Sequence, residues 1–404
     1  MPPSLDKFFR PLKEQFHWDH FTYFRLLVLT MAVMWGRRNV ANLYRYLDAE
    51  HHRTRFNNFF LVERWAPEAA LRQQAQVLLR RLQPGTGDIL YLILDDSKKA
   101  KRGQYMDAVA KMKDPLLDAY IRGHHYVCAI LVCRRQVIPW GIRLYLKPDH
   151  AKSLGRPFRK TTELAAQLIR EFAAPAGVKV VVLFDAYYLC RTVVQARREQ
   201  HWSFASTLKS NRSLFTPGWK LKAGRYGRNL FRRRRTDTLV INKPHGQARY
   251  RFVDAGWLEL SHLGRLPVVF SRKGRARKIL GLVTDDPACS AAHLIQTYAR
   301  RWTIEQWVTD LNQLLGLAHY QNRSYRAAVT HLHLVCFAYA LLTHLRMERT
   351  GAQGHRTRDK AAGLSTAAVQ DQLRRLLWED LITYLKDEHP DQPLIEDLER
   401  LRVA

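Results

Sequence analysis

Residues 298–317 read YARRWTIEQWVTDLNQLLGL, a run with no proline and no glycine before Gly316. Apolar residues recur along it at helical spacing, so it is expected to form one helix. At about 100° per residue, Tyr298, Arg301, Glu305 and Asn312 fall within roughly 60° of one another on its surface. A phenol, a guanidinium, a carboxylate and an amide are thus aimed in one direction. Two readings of Glu305 are open from this stretch alone. It can pair with Arg301 one turn earlier, as charges at i,i+4 commonly do. It can also be a metal ligand presented to a site built elsewhere, which requires partner carboxylates upstream.

Two such carboxylates follow apolar runs typical of buried strands. Ile89–Leu94 (ILYLIL) leads into Asp95, Asp96 and Ser97, and residues 178–184 (VKVVVLF) lead into Asp185, Ala186, Tyr187 and Tyr188. An acid just beyond a buried strand lies at its carboxyl end, where α/β sheets bind ligands. The structural alternative is a cap on the following helix. Together Asp95, Asp185 and Glu305 offer hard oxygen donors that suit two Mg²⁺ ions, with Mn²⁺ as a substitute. Such a pair serves in-line attack on a phosphodiester. Without a cation the three carboxylates would repel one another. Asp96 rivals Asp95 as the first ligand, because neighbours on a regular strand point to opposite faces.

The 404 residues include 66 Lys and Arg against 36 Asp and Glu, a net charge of +30. That excess points to a polyanionic partner, nucleic acid first. An acidic membrane surface fits less well, because the basic residues are spread over the chain and do not flank an apolar anchor. The apolar run Leu332–Leu342 is shorter than a bilayer span. Cys128, Cys133, Cys190, Cys289 and Cys336 form no CxxC pair and read as reduced thiols of a cytosolic protein. No signal peptide is expected, since Asp6, Lys7 and Arg10 interrupt the N-terminal stretch.

Five segments are expected along the chain. Residues 1–87 are helical, and Arg37, Arg38, Arg45, Arg53 and Arg55 fit either a helix-turn-helix-like DNA-binding module or a bundle with a solvated basic face. Residues 88–201 form the first part of an α/β core, with antiparallel strands at Tyr126–Val132 and Gln136–Leu146. A β-rich basic insertion follows at 202–287. Its run Arg232, Arg233, Arg234 and Arg235, among interleaved aromatics, reads as a phosphate-contacting surface. The core resumes at 288–346 with the Glu305 helix. Residues 347–404 contain a loop at 351–358 and helices at Ser365–Lys386 and Pro393–Val403.

In order, spacing and context, these motifs resemble a bacterial insertion-sequence transposase of the DDE class over roughly residues 88–320. The resemblance implies an RNase H-like mixed sheet flanked by helices, interrupted by an all-β insertion, with helical N- and C-terminal regions. One large group of these enzymes carries Tyr-x2-Arg-x3-Glu-x6-Lys. This chain has Tyr298, Arg301 and Glu305 at that spacing and Asn312 in place of the lysine. By resemblance, Asp95, Asp185 and Glu305 would be the catalytic metal ligands, and Tyr298 and Arg301 would touch DNA near the scissile phosphate. Asn312 would stand where a cation holds donor DNA, and Lys98, Lys99, Lys101 and Arg102 could take over part of that contact. The implied partner is double-stranded DNA, both transposon ends and target, bound by a homodimer in the bacterial cytoplasm at the nucleoid. The reaction would be cleavage at terminal inverted repeats and strand transfer. A catalytically silent, transposase-derived DNA-binding protein is the alternative, and dependence on a divalent metal separates the two.

Overall fold

The computed structural model describes residues 2–388, apart from 48–52, 63, 104, 115–117, 217, 244–245 and 351–363. Its N-terminal apolar runs form α1 (Pro3–Phe9), a 3₁₀ turn, α2 (Trp18–Val33), α3 (Val40–Leu47), α4 (Arg53–Leu61) and α5 (Pro67–Leu82). In α5, Pro67 occupies a first-turn position whose N–H has no helical partner anyway, and Glu68 and Arg80/Arg81 match the helix dipole. Phe24 of α2 packs edge-on or stacked against Phe9, Phe16 and Phe337, which ties these helices to the C-terminal half. Arg38 was expected on a basic surface. Instead it is buried, and its Nε and Nη2 donate to the Met31 and Met34 carbonyls at 2.8 and 2.7 Å. It satisfies carbonyls that the end of α2 leaves open, and burial lowers its pKa to about 10.

Next come β1 (Ile89–Ala100), β2 (Ala110–Asp114), β3 (Ala119–Cys133), β4 (Gln136–Leu144), α6 (Pro148–Ser153), α7 (Thr161–Arg170), β5 (Lys179–Phe184), α8 (Arg191–Glu199) and β6 (Ser203–Thr207). The core order is β4-β3-β1-β5-β6. β1 and β4 run antiparallel to β3, β5 runs parallel to β1, and β6 parallel to β5. This is the arrangement of an RNase H-like core. Val180–Phe184 and Leu90–Leu94 are buried without interruption, as strands covered on both faces must be. β1 does not stop where its apolar run stops. Its ladder with β3 continues to Ala100↔Gly123, so Asp95 lies within the strand and not beyond it. The parallel ladder with β5 does stop at Ile93↔Leu183.

The chain continues as β7 (Ser213–Thr216), β8 (Trp219–Lys222), α9 (Ala223–Arg233), β9 (Asp237–Lys243), β10 (Gly246–Leu260), β11 (Gly264–Lys273) and β12 (Leu280–Thr284). β12 pairs with β6, and β11 and β10 follow, so the β-rich segment extends the core sheet to twelve strands. The expectation of an all-β segment holds except for α9. That helix buries Ala223, Gly227 and Leu230, a helical period. A Cβ on Gly227 would meet the Phe270 ring at 2.4 Å, so only glycine lets α9 lie this close to the sheet.

Finally come α10 (Ala291–Ala299), α11 (Trp302–Gln313), α12 (Tyr325–Thr350) and α13 (Thr366–Glu388). Over Tyr325–Glu348, α12 is long and apolar enough to cross a membrane, and that stretch is buried in the protein. It packs against α2, α5 and β4. The run Leu332–Leu342 is the middle of this helix. The loop expected at 351–358 and the helix expected at Pro393–Val403 lie outside the described residues.

Gly123 of β3 faces Ala100, and a Cβ there would lie 2.0 Å from the Lys99 carbonyl oxygen. Backbone cannot swing aside as a side chain can. Gly123→Ala should therefore destabilise the protein by about 2 kcal/mol or more. The measurement is the urea midpoint at unchanged m, with Gly87→Ala, which meets nothing within 4 Å, as the neutral control.

Candidate active site

The β1–β5 register places Ile93 beside Leu183, an offset of 183 − 93 = 90. Asp95 and Asp185 are also 185 − 95 = 90 apart. Two residues beyond that last pair, with Asp185 just past the end of β5, the same offset brings the acids level, on strands spaced about 4.8 Å apart. Asp185 turns the chain after β5. Its Oδ1 accepts from the Tyr187 and Tyr188 N–H groups at 2.9 and 3.3 Å, and its carbonyl accepts from Ser206 Oγ at 3.1 Å.

Helix α11 brings Glu305 to the same place. The single helix expected over 298–317 is two helices, α10 and α11, with a break at Arg300–Arg301. Across the break, Arg301 N–H bonds to Tyr298 O at 3.0 Å and Ile304 N–H to Arg301 O at 3.2 Å, the tighter i−3 pattern of a 3₁₀ turn. The break re-aims Arg301 toward the sheet. Its Nη1 donates to Asp95 Oδ2 at 2.7 Å and its Nη2 to Glu305 Oε1. One guanidinium thus joins the strand carboxylate to the helix carboxylate. At the far end, Gly316 takes φ +70 and Leu317 N–H bonds back to Leu311 O, a left-handed glycine turn that ends α11.

The electrostatics follow from this packing. Burial pushes the Asp95 carboxyl up to about 6. Arg301 and the Asp96 N–H oppose the rise, and Asp96 and Asp185 add to it. Burial works against the charge on Arg301, but Tyr298, Asp95 and Glu305 around it hold its pKa above the ordinary value. Tyr298 is half-buried, with its hydroxyl 3.4 Å from Thr207 Oγ1.

Asp96 points to the other face, where its Oδ2 lies 2.6 Å from His125 Nε2. Sequence reading did not link His125 to Asp96, because only the β1–β3 ladder, which sets Asp96 opposite Val127, brings His125 onto the same face one diagonal step away. Asn312 shares the α11 face but does not project from it, since its Nδ2 donates to its own helix at Val308 O, at 2.6 Å. Lys98 Nζ donates to Lys113 O at 3.0 Å, and burial lowers the Lys99 pKa. Lys101, expected among the exposed phosphate contacts, is turned inward. Its Nζ bonds to the Ala318 and Tyr320 carbonyls at 2.8 and 3.0 Å and sits 3.2 Å from the Tyr320 ring centre. Arg102 is exposed, as are Arg232, Arg233, Arg234 and Arg235. Beside Asp185, a cavity of about 460 Å³ is lined by Lys209 and Lys278. Sequence reading did not single these out, because isolated lysines in a chain this basic carry no signal.

Among the described residues no three His, Cys, Asp or Glu side chains converge into one metal cage. Mg²⁺ does not need such a cage, since it usually keeps several waters and takes one or two carboxylates plus substrate phosphate. Asp95 with Asp185, and Asp95 with Glu305, are donor pairs of that kind. The cation that Asp95 and Glu305 share here is Arg301, so the donor set fits a hard divalent ion.

A carboxyl raised from 3.8 to about 6 in the folded protein favours folding at low pH and loses that contribution as pH rises through 6. Metal-free Asp95→Asn should therefore melt above wild type at pH 7.5, by on the order of 2 kcal/mol. The gap should open between pH 4 and 6 and stay level above. Equal melting temperatures across that range would contradict the buried, repelled state of Asp95.

A family model described as DDE superfamily endonuclease matches residues 8–263, which is 263 − 8 + 1 = 256 of the 404 residues. No curated protein matches the chain. The match contains Asp95 and Asp185 and ends before Tyr298, Arg301 and Glu305. Residues 8–263 hold the helical N-terminal region, the whole β1–β6 core and the β-rich segment through β10. On the strength of that coverage, the chain belongs to the DDE superfamily of endonucleases.

Proposed function

We propose that the protein is a DNA transposase that cuts at the terminal inverted repeats of a mobile element and joins the ends to target DNA. One observation carries the reading: two acids at the same offset as the parallel β1–β5 ladder and just beyond its last pair, with a helix carboxylate brought to the first of them by Arg301. Asp95, Asp185 and Glu305 would hold two Mg²⁺ ions, or Mn²⁺ in their place. Such ions supply Lewis acidity for in-line attack of water or a 3′-hydroxyl on a phosphodiester. With its pKa raised to about 6, the Asp95 carboxyl is ionised at neutral pH, which favours loading there. Arg301 would turn from the carboxylates to the scissile phosphate, with Tyr298 beside it. Asn312 is bonded to its own helix and would leave donor DNA to Lys98, Lys99 and Arg102.

Residues 1–87 and the β-rich segment at 202–287, including Arg232–Arg235, would grip the duplex around the core formed by 88–201 and 288–346. Helix α13 would close the helical side against α2 and α12. Synapsis of two DNA ends calls for two active sites, so the working form would be a homodimer, acting in the cytoplasm on nucleoid DNA. The second reading, a silent DNA-binding descendant, draws on the same Arg301, since a guanidinium bonded to both acids already neutralises them.

Cleavage of a labelled duplex carrying the element end, with Mg²⁺ or Mn²⁺, decides between the two. Wild type should nick at the boundary, and chelation should stop it. Glu305→Gln should bind the duplex normally and lose more than the about 10–100-fold that losing an outer-shell partner costs. Tight binding by both proteins with no cutting under either metal would leave only the silent reading.

A further inference from the structure

A second basic site lies away from the carboxylates. Three separate stretches meet around a cavity of about 650 Å³: the α2–α3 connection at Arg37, the end of β1 at Lys101–Arg102 with Tyr105, and the segment Ala318–Arg323. Four of its lining side chains are cationic, namely Arg37, Lys101, Arg102 and Arg323, and none is acidic. Arg37, Arg102 and Arg323 are exposed and pair with no carboxylate among the described residues. The nearest acid in sequence, Asp107, is held at the Arg323–Tyr325 backbone, its carboxylate accepting the Tyr325 N–H at 2.8 Å, and does not line the cavity.

The arrangement is built and not a loose turn. Lys101 is pinned to two carbonyls and the Tyr320 ring, and the Arg323 guanidinium lies 5.6 Å from the centre of the Tyr105 ring. Tyr320 is in turn fixed by His124, whose Nδ1 lies 2.5 Å from the phenol oxygen. The fold therefore holds like charges together at a cost. Burial, and then Arg37, push the Lys101 pKa down to about 7. An anion seated here would relieve that repulsion.

Next to the cavity, and sharing Gln321 with it, is a groove of about 450 Å³ lined by Asn39, Thr54, Asn57 and Asn322. Asn39 is bonded to Gln321 and to the Asn42 N–H, each at 2.9 Å, which leaves Asn57 and Asn322 beside the cations; that combination suits a duplex, whose phosphates take the cations and whose base edges can take the amides. A lipid surface has use for the cations alone. Lys101 lies six residues beyond Asp95 along the β1 direction, about 20 Å, which is about six base pairs of B-form DNA.

We propose that this cavity is a phosphate clamp that grips the duplex about six base pairs from the bond cut at Asp95, with the amide groove facing the adjoining base edges. The clamp deepens the transposase reading, yet its binding test does not depend on cleavage. The test is metal-free binding of the full chain to a labelled duplex several turns long, followed by anisotropy across about 50 to 200 mM KCl. The comparison is wild type, the double variant Arg102→Gln/Arg323→Gln, and Glu305→Gln. Both arginines are exposed, and unchanged thermal melting verifies that the double variant folds.

Wild type and Glu305→Gln should share one steep slope of log K against log salt. The double variant should be shallower by about 1.8, two phosphate contacts at about 0.9 each. A double-variant slope equal to wild type overturns the clamp. So does a loss seen only on anionic vesicles or single strands, or a wild type that fails to bind duplex. A wild type that binds with the expected slopes but never cuts removes the catalytic reading and leaves the clamp standing.

Discussion

Arg301 is the point on which the active-site end of the sheet depends. Asp95 sits on a buried strand, level with Asp185 and next to Asp96, where its own charge is disfavoured. A lone carboxylate there would be expensive. The guanidinium meets that demand and ties Glu305 to it in the same gesture. Geometry then dictates the break between α10 and α11. A continuous helix would keep Arg301 on the stripe shared with Tyr298, whereas the 3₁₀ turn lets it reach across to β1. The site is thus assembled by electrostatics before any metal or DNA arrives.

Much of this was legible in the chain. The two apolar strand runs, the acids after them and the later glutamate could be read because burial imposes unbroken apolar runs. A parallel register also turns a sequence spacing into a spatial one: the offset of 90 between β1 and β5 is the spacing of Asp95 and Asp185. The polar tail of β1, DDSKKA, carries no strand signal of its own. It is extended because β3 pairs with it as far as Ala100, a case of tertiary pairing overriding propensity. Helix α9 was hidden among strand-like runs, since three small or apolar positions make a weak period. Arg38 and Lys101 were misread as surface cations because their partners are backbone carbonyls. Those of Lys101 lie more than two hundred residues away, beyond the reach of any local pattern.

The basic excess therefore divides into two populations. Some cations serve the fold: Arg38 closes α2, Lys101 joins β1 to the 318–320 segment, and Arg143 bonds to Glu68 and Glu171 between α5, β4 and the end of α7. Others, such as Arg102, Arg323 and Arg232–Arg235, stay in solvent. Only the second group can release counterions on meeting a polyanion. A net charge of +30 consequently overstates the binding surface, and what matters is where unpaired cations are gathered.

The sheet also couples the two regions mechanically. Strand β6 touches the site from one side, through Ser206 on the Asp185 carbonyl and Thr207 on Tyr298. Along its other edge it pairs with β12, the last strand of the β-rich segment. Thr284 of β12 reaches back to Phe204 O at 2.7 Å, and Asp285 accepts from the Phe204 N–H at 2.9 Å. Arg197 of α8 anchors Asp285 from beneath. The arginine-rich segment is therefore joined to β12, and through β6 to the turn at Asp185 and to Tyr298 of α10. Continuous hydrogen bonding thus runs from the outer strands to the turn of an acid that they never touch.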